Sequence, residues 1–261
     1  NDIYCASFYL KATSELLTND QLSIINEKSS KNLIKLKNLN YKKSNILFTG
    51  PSLNSDILKK NKNNFENSYN IAINSFIKSS EYCSITKPNI IIFSDPVFHS
   101  SPSKYTERFY NDLNKYLEKN NDTFIITTIR DYFVTESKIV NNKNIIYLTF
   151  SQVTDLNKLL VKVTGNVATG FAFPLIDYLD LTKNYLYGFT GKPDIKDETY
   201  FWEHNNEVQY PKEKEDCKLI FPAFFDISFE QYNTNHLNHT LEYLKNKKNN
   251  IEIKGKTFYK Y

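Results

Sequence analysis

The chemistry of this chain is concentrated where short apolar runs stop. Residues Ser44 to Ile57 read SNILFTGPSLNSDI, an apolar run that breaks at Thr49-Gly50-Pro51-Ser52 and is followed by a helix start. A strand that ends this way suits anion binding. Gly50 lets a backbone approach a ligand, and the next helix's first N–H groups favour a phosphate. A plain strand-to-helix turn uses the same residues, and both readings stand on this segment alone. A second run ends at Asn74, whose amide suits a ribose or a base. A third ends in FSDPVFH and presents Ser94, Asp95 and His99, with Asp95 before Pro96 equally suited to a turn. Ala168-Thr169-Gly170 opens a later helix-like stretch with a small hydroxyl residue and a glycine, fit for phosphate or carboxylate contact or for a simple cap by Thr169. A further run ends at Gly188, with GFTGKPD spanning the break.

Only four histidines occur, so each carries weight. His204 lies in the polar stretch TYFWEHNNEVQY, beside Glu203 and the single Trp, Trp202. A histidine in a loop over a site is suited to general-base work. His236 and His239 sit three apart on a predicted helix, but no Cys or acidic cluster adjoins them to complete a metal site. The sequence has no GxGxxG, no Walker A and no GxSxG. It also has no Asp-x-Asp, the paired carboxylates that a metal-dependent nucleotide-sugar site commonly uses. The expectation is a metal-independent reaction with no cofactor.

The elements that must position these residues follow from the apolar pattern. NILFTG, YNIAINSF, PNIIIFSD, TFIITTI, NIIYLTF and NYLYGFTG are short, nearly continuous and mostly rich in Ile, as strands buried on both faces are. Between them lie stretches long enough for crossover helices, such as SKYTERFYNDLNKYLEKN and NVATGFAFPLIDYLDL. This alternation predicts an α/β fold: a Rossmann-like, mostly parallel sheet with helices on both faces. Residues 1–43 read as an N-terminal helical segment, with Asn19 or Asp20 as cap of its second helix. Residues 44–261 read as one nucleotide-sugar-binding domain, with a polar lid over about 191–216 and a final helix before a basic tail.

Composition bounds the rest. Aromatics make up 15% of the 261 residues, with 19 Tyr and 19 Phe, and suit ring-stacking surfaces, although an AT-rich coding bias yields the same enrichment. A net charge of +4 fits anionic small substrates or a lipid surface and is too weak to argue for nucleic acid. No apolar run reaches the length of a membrane span. Cys5, Cys83 and Cys217 fit neither a disulfide framework nor a zinc site, and suit a reducing cytosol. No Met occurs even at position 1, which reads as a processed form or a piece of a longer protein.

In this order, the G-P-S-L turn, the Asn after the second run, the Pro turn after the third, the A-T-G element, YLYGFTG and a loop His resemble the bacterial sialyltransferases of glycosyltransferase family 42. The G-P-S-L element is also similar to one in the motility-associated-factor group of flagellin glycosylation. The resemblance covers about residues 44–210. It implies a GT-A-like variant of the Rossmann-like fold and an inverting transfer from a CMP-sugar. His204 would be the base. Thr49, Gly50, Pro51, Ser52, Asn74, Asp95, Ala168, Thr169, Gly170 and Gly188 would hold the nucleotide, and Tyr200 and Tyr210 the phosphate. The chain departs from the pattern at Thr49 and Asp95, each in place of Asn, at Ala168 in place of Thr, and at Asn166 in place of Arg.

The implied donor carries a sialic-acid-like sugar, with Kdo or another nonulosonate as alternatives. The implied acceptor is a bacterial surface glycan such as lipooligosaccharide or capsule, which includes lipid-linked forms. Nucleic acid is not expected as a partner. A cytoplasmic location with peripheral contact at the inner face of the inner membrane fits this reading, and so does a homo-oligomer. Two rival classes remain open: a different nucleotide-using enzyme, such as a diphosphokinase or a metal-dependent transferase, and a non-catalytic carbohydrate- or nucleotide-binding domain.

Overall fold

A computed structural model describes residues 11, 13–141, 143–162, 167–191, 205–225, 238–247 and 250–259. One sheet organises them. Its eight strands are β1 (Lys43–Leu47), β2 (Tyr69–Ile73), β3 (Ile90–Ile92), β4 (Phe124–Thr128), β5 (Ile145–Ser151), β6 (Leu160–Lys162), β7 (Lys183–Tyr187) and β8 (Ile251–Lys254). Their order is β6-β5-β4-β3-β2-β1-β7-β8, and all neighbouring pairs are parallel. The six apolar runs are β1 to β5 and β7. The short edge strands β6 and β8 were not read from the sequence, and the tail read as basic contains β8.

Alternate residues along each strand serve opposite faces. Leu47, Ala72, Ile91, Ile125 and Tyr187 pack on one side. Ile46, Ile71, Ile92, Ile126 and Leu186 pack on the other. Leu156 in the short β5–β6 connection packs on the second face, whereas the connections from β1 to β4 place their helices on the first, through Leu58, Phe76, Tyr82 and Phe109. The helix of this group with the strongest pattern spans Lys104–Lys119. Ser103 caps it, and Tyr105, Phe109, Leu113 and Leu117 are buried. The helix Asn238–Asn246, between β7 and β8, puts Leu244 on the second face.

The first described helix, Asn19–Lys37, covers the sheet's exposed flank. β6 pairs only with Thr149–Ser151, so the start of β5 has a free edge. Asn32 Nδ2 donates to the carbonyls of Lys143 (3.0 Å) and Ile145 (2.9 Å), and Ser29 Oγ accepts from the Tyr147 amide at 3.0 Å. Side chains thus satisfy strand groups that would otherwise template aggregation. The helix is capped by Thr18, one residue before the predicted cap. Its hydroxyl accepts from the Gln21 amide, while the Gln21 side chain accepts from the Thr18 amide.

Candidate functional site

Chain direction fixes where a site belongs. After β1 the chain moves toward β2; after β7 it moves the opposite way, toward β8. In parallel sheets the crevice outside the carboxyl ends of two such strands is the usual ligand position. Here it lies between the loop Phe48–Leu53 and the loop Gly188–Gly191.

The two loops are joined. The Phe48 amide donates to the Tyr187 carbonyl (2.9 Å), and the Gly50 amide to the Gly188 carbonyl (3.1 Å). The Ser52 amide donates to Thr190 Oγ1 at 3.0 Å, and the two hydroxyls are 2.7 Å apart. Gly50 and Gly188 make this approach possible. A Cβ on Gly50 would lie 2.2 Å from the Gly188 oxygen, and one on Gly188, whose φ is +67°, would lie 2.5 Å from the Phe48 oxygen. Pro51 begins a turn closed by the Leu53 amide on the Gly50 carbonyl at 3.1 Å. The helix that follows, Ser55–Lys60, is capped by Asn54.

The next strand end adds polar groups. Asn74 takes φ +51° directly after β2, and its Oδ1 is buried without a hydrogen-bond partner. Such an atom is costly in an interior unless something later pairs with it. Beside it, Ser75 Oγ donates to Gln209 Oε1 at 3.4 Å, and Tyr105 OH donates to the same oxygen at 3.2 Å. Gln209 Nε2 donates to Thr49 Oγ1 at 2.8 Å. One amide therefore ties the end of β1 to the end of β2. Asn205 Nδ2 donates to the Leu53 carbonyl at 2.6 Å, and Lys78 Nζ bonds the carbonyls of Asn206 and Gln209. Burial lowers the Lys78 pKa.

Asp95 begins the short helix Pro96–His99. Its Oδ1 accepts from the amides of Val97 (2.9 Å) and Phe98 (3.2 Å). Burial raises its pKa to about 6 against the lowering effect of those amides, and Asp131 adds to the rise. His99 Nδ1 accepts from the Asp95 amide at 3.2 Å, which assigns the proton to Nε2, buried and unpartnered. Burial pushes the His99 pKa down to about 3, so it is neutral. Asp131, after β4, accepts from Ser100 Oγ (2.6 Å), Thr127 Oγ1 (2.9 Å) and Thr128 Oγ1 (2.7 Å).

Ala168, Thr169 and Gly170 open a π-helical turn, Ala168–Ala172. The turn and the next residue link both sides of the carboxyl edge. Phe171 meets Phe150 of β5 edge-on at 6.1 Å, and Phe173 meets Phe189 at 6.3 Å. Phe189 in turn packs on Phe48 at 4.8 Å.

The structure thus brings Thr49, Gly50, Pro51, Ser52 and Gly188 into one assembly, with Asn74 at the adjoining strand end. Asp95 stands at the end of β3 as a helix cap. Tyr210 is 2% exposed and its OH donates to Asp112 Oδ2 at 3.0 Å. Tyr200, His204, Asn166, Cys5 and His236 lie outside the described residues. The stretch read as lid over 191–216 includes, from Pro211, a helix that runs to Ile220 and buries Cys217. Cys83 and Cys217 are free, buried thiols, raised by burial to about 12 and about 11. Sequence reading missed Thr190, Gln209 and Lys78 as parts of the site. Thr190 had a visible signal in GFTG. Gln209 had none, because only the fold carries it back to Thr49.

Among the described residues, no group of three or more His, Cys, Asp or Glu is placed to hold a metal ion. No described helix is long and apolar enough to cross a membrane. Comparison with protein-family models, curated proteins and solved structures found no match for this chain.

Proposed function

We propose that the chain is an inverting glycosyltransferase that moves a sialic-acid-like sugar from a CMP-sugar to a glycan hydroxyl without a metal ion. The observation that carries this reading is the joined Gly50–Gly188 crevice at the strand-order reversal, with the Ser52 and Thr190 hydroxyls beside it and the unpaired Asn74 amide oxygen at the adjoining strand end. Hydroxyls and main-chain N–H groups suit ribose and phosphate. An unpaired amide oxygen suits an exocyclic base amine. The choice of CMP and of an acidic sugar rests on the motif resemblance.

The reaction forms a bond from the acceptor oxygen to the anomeric carbon and breaks the bond from that carbon to the phosphate, which leaves as CMP. The acceptor proton goes to a base, the role proposed for His204. Hydroxyl and main-chain donors at the crevice offset charge on the departing phosphate. Kdo or another nonulosonate would obey the same logic.

A divalent-metal-dependent transferase is a second reading, in which Asp95 and Asp131 at adjacent strand ends would be the acidic pair. Asp95 Oδ1 accepts two amides, and Asp131 accepts three hydroxyls.

Thermal unfolding in EDTA, with CMP, UDP, GDP and ADP each in excess, separates these readings. Ligand at 100 times its Kd stabilises the folded state by about 2.7 kcal/mol. The expected result is a rise in Tm with CMP. A shift with another nucleotide, or none until a divalent metal is added, overturns the proposal.

A further inference from the structure

Arg130 follows β4 directly, in the turn Ile129–Asp131 on the same carboxyl edge as the crevice. Its guanidinium carbon lies 4.9 Å from the centroid of the Phe150 ring. The residue is half-buried. Among the described residues its guanidinium joins no ion pair and donates no hydrogen bond. The chain's other arginine, Arg108, is paired with Asp112 at 3.4 Å. The adjacent carboxylate, Asp131, is committed to Ser100, Thr127 and Thr128. A guanidinium has five N–H donors in a planar fork that matches an oxyanion, and an aromatic face holds that plane in place.

The position relative to the crevice gives the fork a use. Phe150 packs on Phe171, Phe173 on Phe189, and Phe189 on Phe48 at the end of β1. These two groups of rings, carried by one turn through Phe171 and Phe173, belong to the core on the second face of the sheet, between Arg130 and the crevice. β4 is three strand spacings from β1, about 14 Å. An extended nucleotide-sugar is of comparable length.

We infer that Arg130, held on Phe150, is an oxyanion-binding residue that takes the acidic group of a ligand whose other end lies in the Gly50–Gly188 crevice. The shared chemistry is a carboxylate or a phosphate. The assignment to a sugar carboxylate rests on the proposed function, whereas oxyanion binding does not.

The test is side-chain Nε–H NMR of the whole chain, which contains only two arginines. Arg130→Lys removes one signal and so assigns both. N-acetylneuraminic acid, inorganic phosphate, CMP and CMP-N-acetylneuraminic acid are titrated separately at constant ionic strength. The expected result is saturable movement of the Arg130 signal with the sugar acid, Arg108 being unmoved. Arg130→Gln is expected to weaken CMP-N-acetylneuraminic acid roughly tenfold or more while leaving CMP binding unchanged. Saturation by phosphate alone supports the oxyanion site and assigns it to a phosphoryl group. Saturation by the sugar acid without any CMP binding supports the Arg130 site and overturns the functional proposal. Equal or absent movement of the two signals with every anion overturns the inference.

Discussion

The amide of Gly50 donates to the carbonyl of Gly188 at 3.1 Å, which extends the pairing of β1 with β7 beyond the last strand residues. The crevice floor is therefore main chain, and its width is set by two absent side chains. Gly50→Ala would put a Cβ 2.2 Å from the Gly188 oxygen and 2.7 Å from Thr190 Oγ1. Neither neighbour yields easily, because the carbonyl is paired and the hydroxyl is bonded to Ser52. The expected loss is about 1–3 kcal/mol in urea denaturation, together with loss of the CMP-induced Tm rise. Wild-type stability in Gly50→Ala would show that this contact is not closed in solution.

Asp131 tests whether the buried hydroxyl cluster at the end of β4 is structural. Asp131→Ala leaves Ser100, Thr127 and Thr128 without their shared acceptor, at an expected cost of about 3 kcal/mol. Asp131→Asn keeps one accepting oxygen and should cost less. Equal losses in the two variants would mean that shape rather than hydrogen bonding matters there.

Acid stability should depend on His99 and Asp95 with opposite signs. The folded-state pKa of His99, about 3, lies below its ordinary value near 6.5. Its contribution is complete above pH 6.5 and is lost as pH falls toward 3. Asp95, raised to about 6 from 3.8, acts the other way, because the fold prefers its neutral form. Its ionisation removes stability as pH rises from 4 to 6. His99→Asn keeps an acceptor for the Asp95 amide and removes the titration. The variant should melt lower at pH 7, yet its Tm should fall less than that of the wild-type chain between pH 6.5 and 4. Parallel Tm curves would show that His99 does not titrate with folding.

Helix Asn19–Lys37 should be indispensable to the sheet edge. Asn32→Ala removes the donor to Lys143 and Ile145, with an expected loss of about 1–3 kcal/mol. Ser29→Ala frees the Tyr147 amide, whose hydrogen exchange should accelerate beyond the global change. Unchanged exchange at Tyr147 would mean that the helix does not cover that edge in solution.

The parallel core was legible because its signal is local. Runs such as Ile90–Ile92 are short, apolar at consecutive positions and β-branched, as strands buried on both faces are. The Gly50 turn was legible for the same reason. The edge strands were not, since Leu160–Lys162 and Ile251–Lys254 are short and bear exposed charged residues, as edges do. Thr18 was displaced as a cap by two adjacent residues of equal local merit, and only the reciprocal bond from Gln21 decides among them. The roles of Gln209 and Arg130 depend on contacts across 160 and 20 residues respectively, with Thr49 and Phe150. No spacing rule reaches that far.

Gln209 offers a test that separates the strap's mechanical part from its electrostatics. Its amide bonds Thr49, Ser75 and Tyr105, so Gln209→Ala strands three hydroxyls and should cost about 1–2 kcal/mol. Gln209→Glu keeps two acceptor oxygens that all three hydroxyls can address, so its stability should be nearly that of the wild-type chain. It also sets a negative charge beside the crevice, where an anionic nucleotide is proposed to bind. CMP affinity should therefore fall in Gln209→Glu despite normal stability, and added salt should recover part of it by screening. If Gln209→Glu binds CMP as the wild-type chain does, the nucleotide phosphate does not lie near the end of β1, and the crevice assignment fails whatever the stability of the variant.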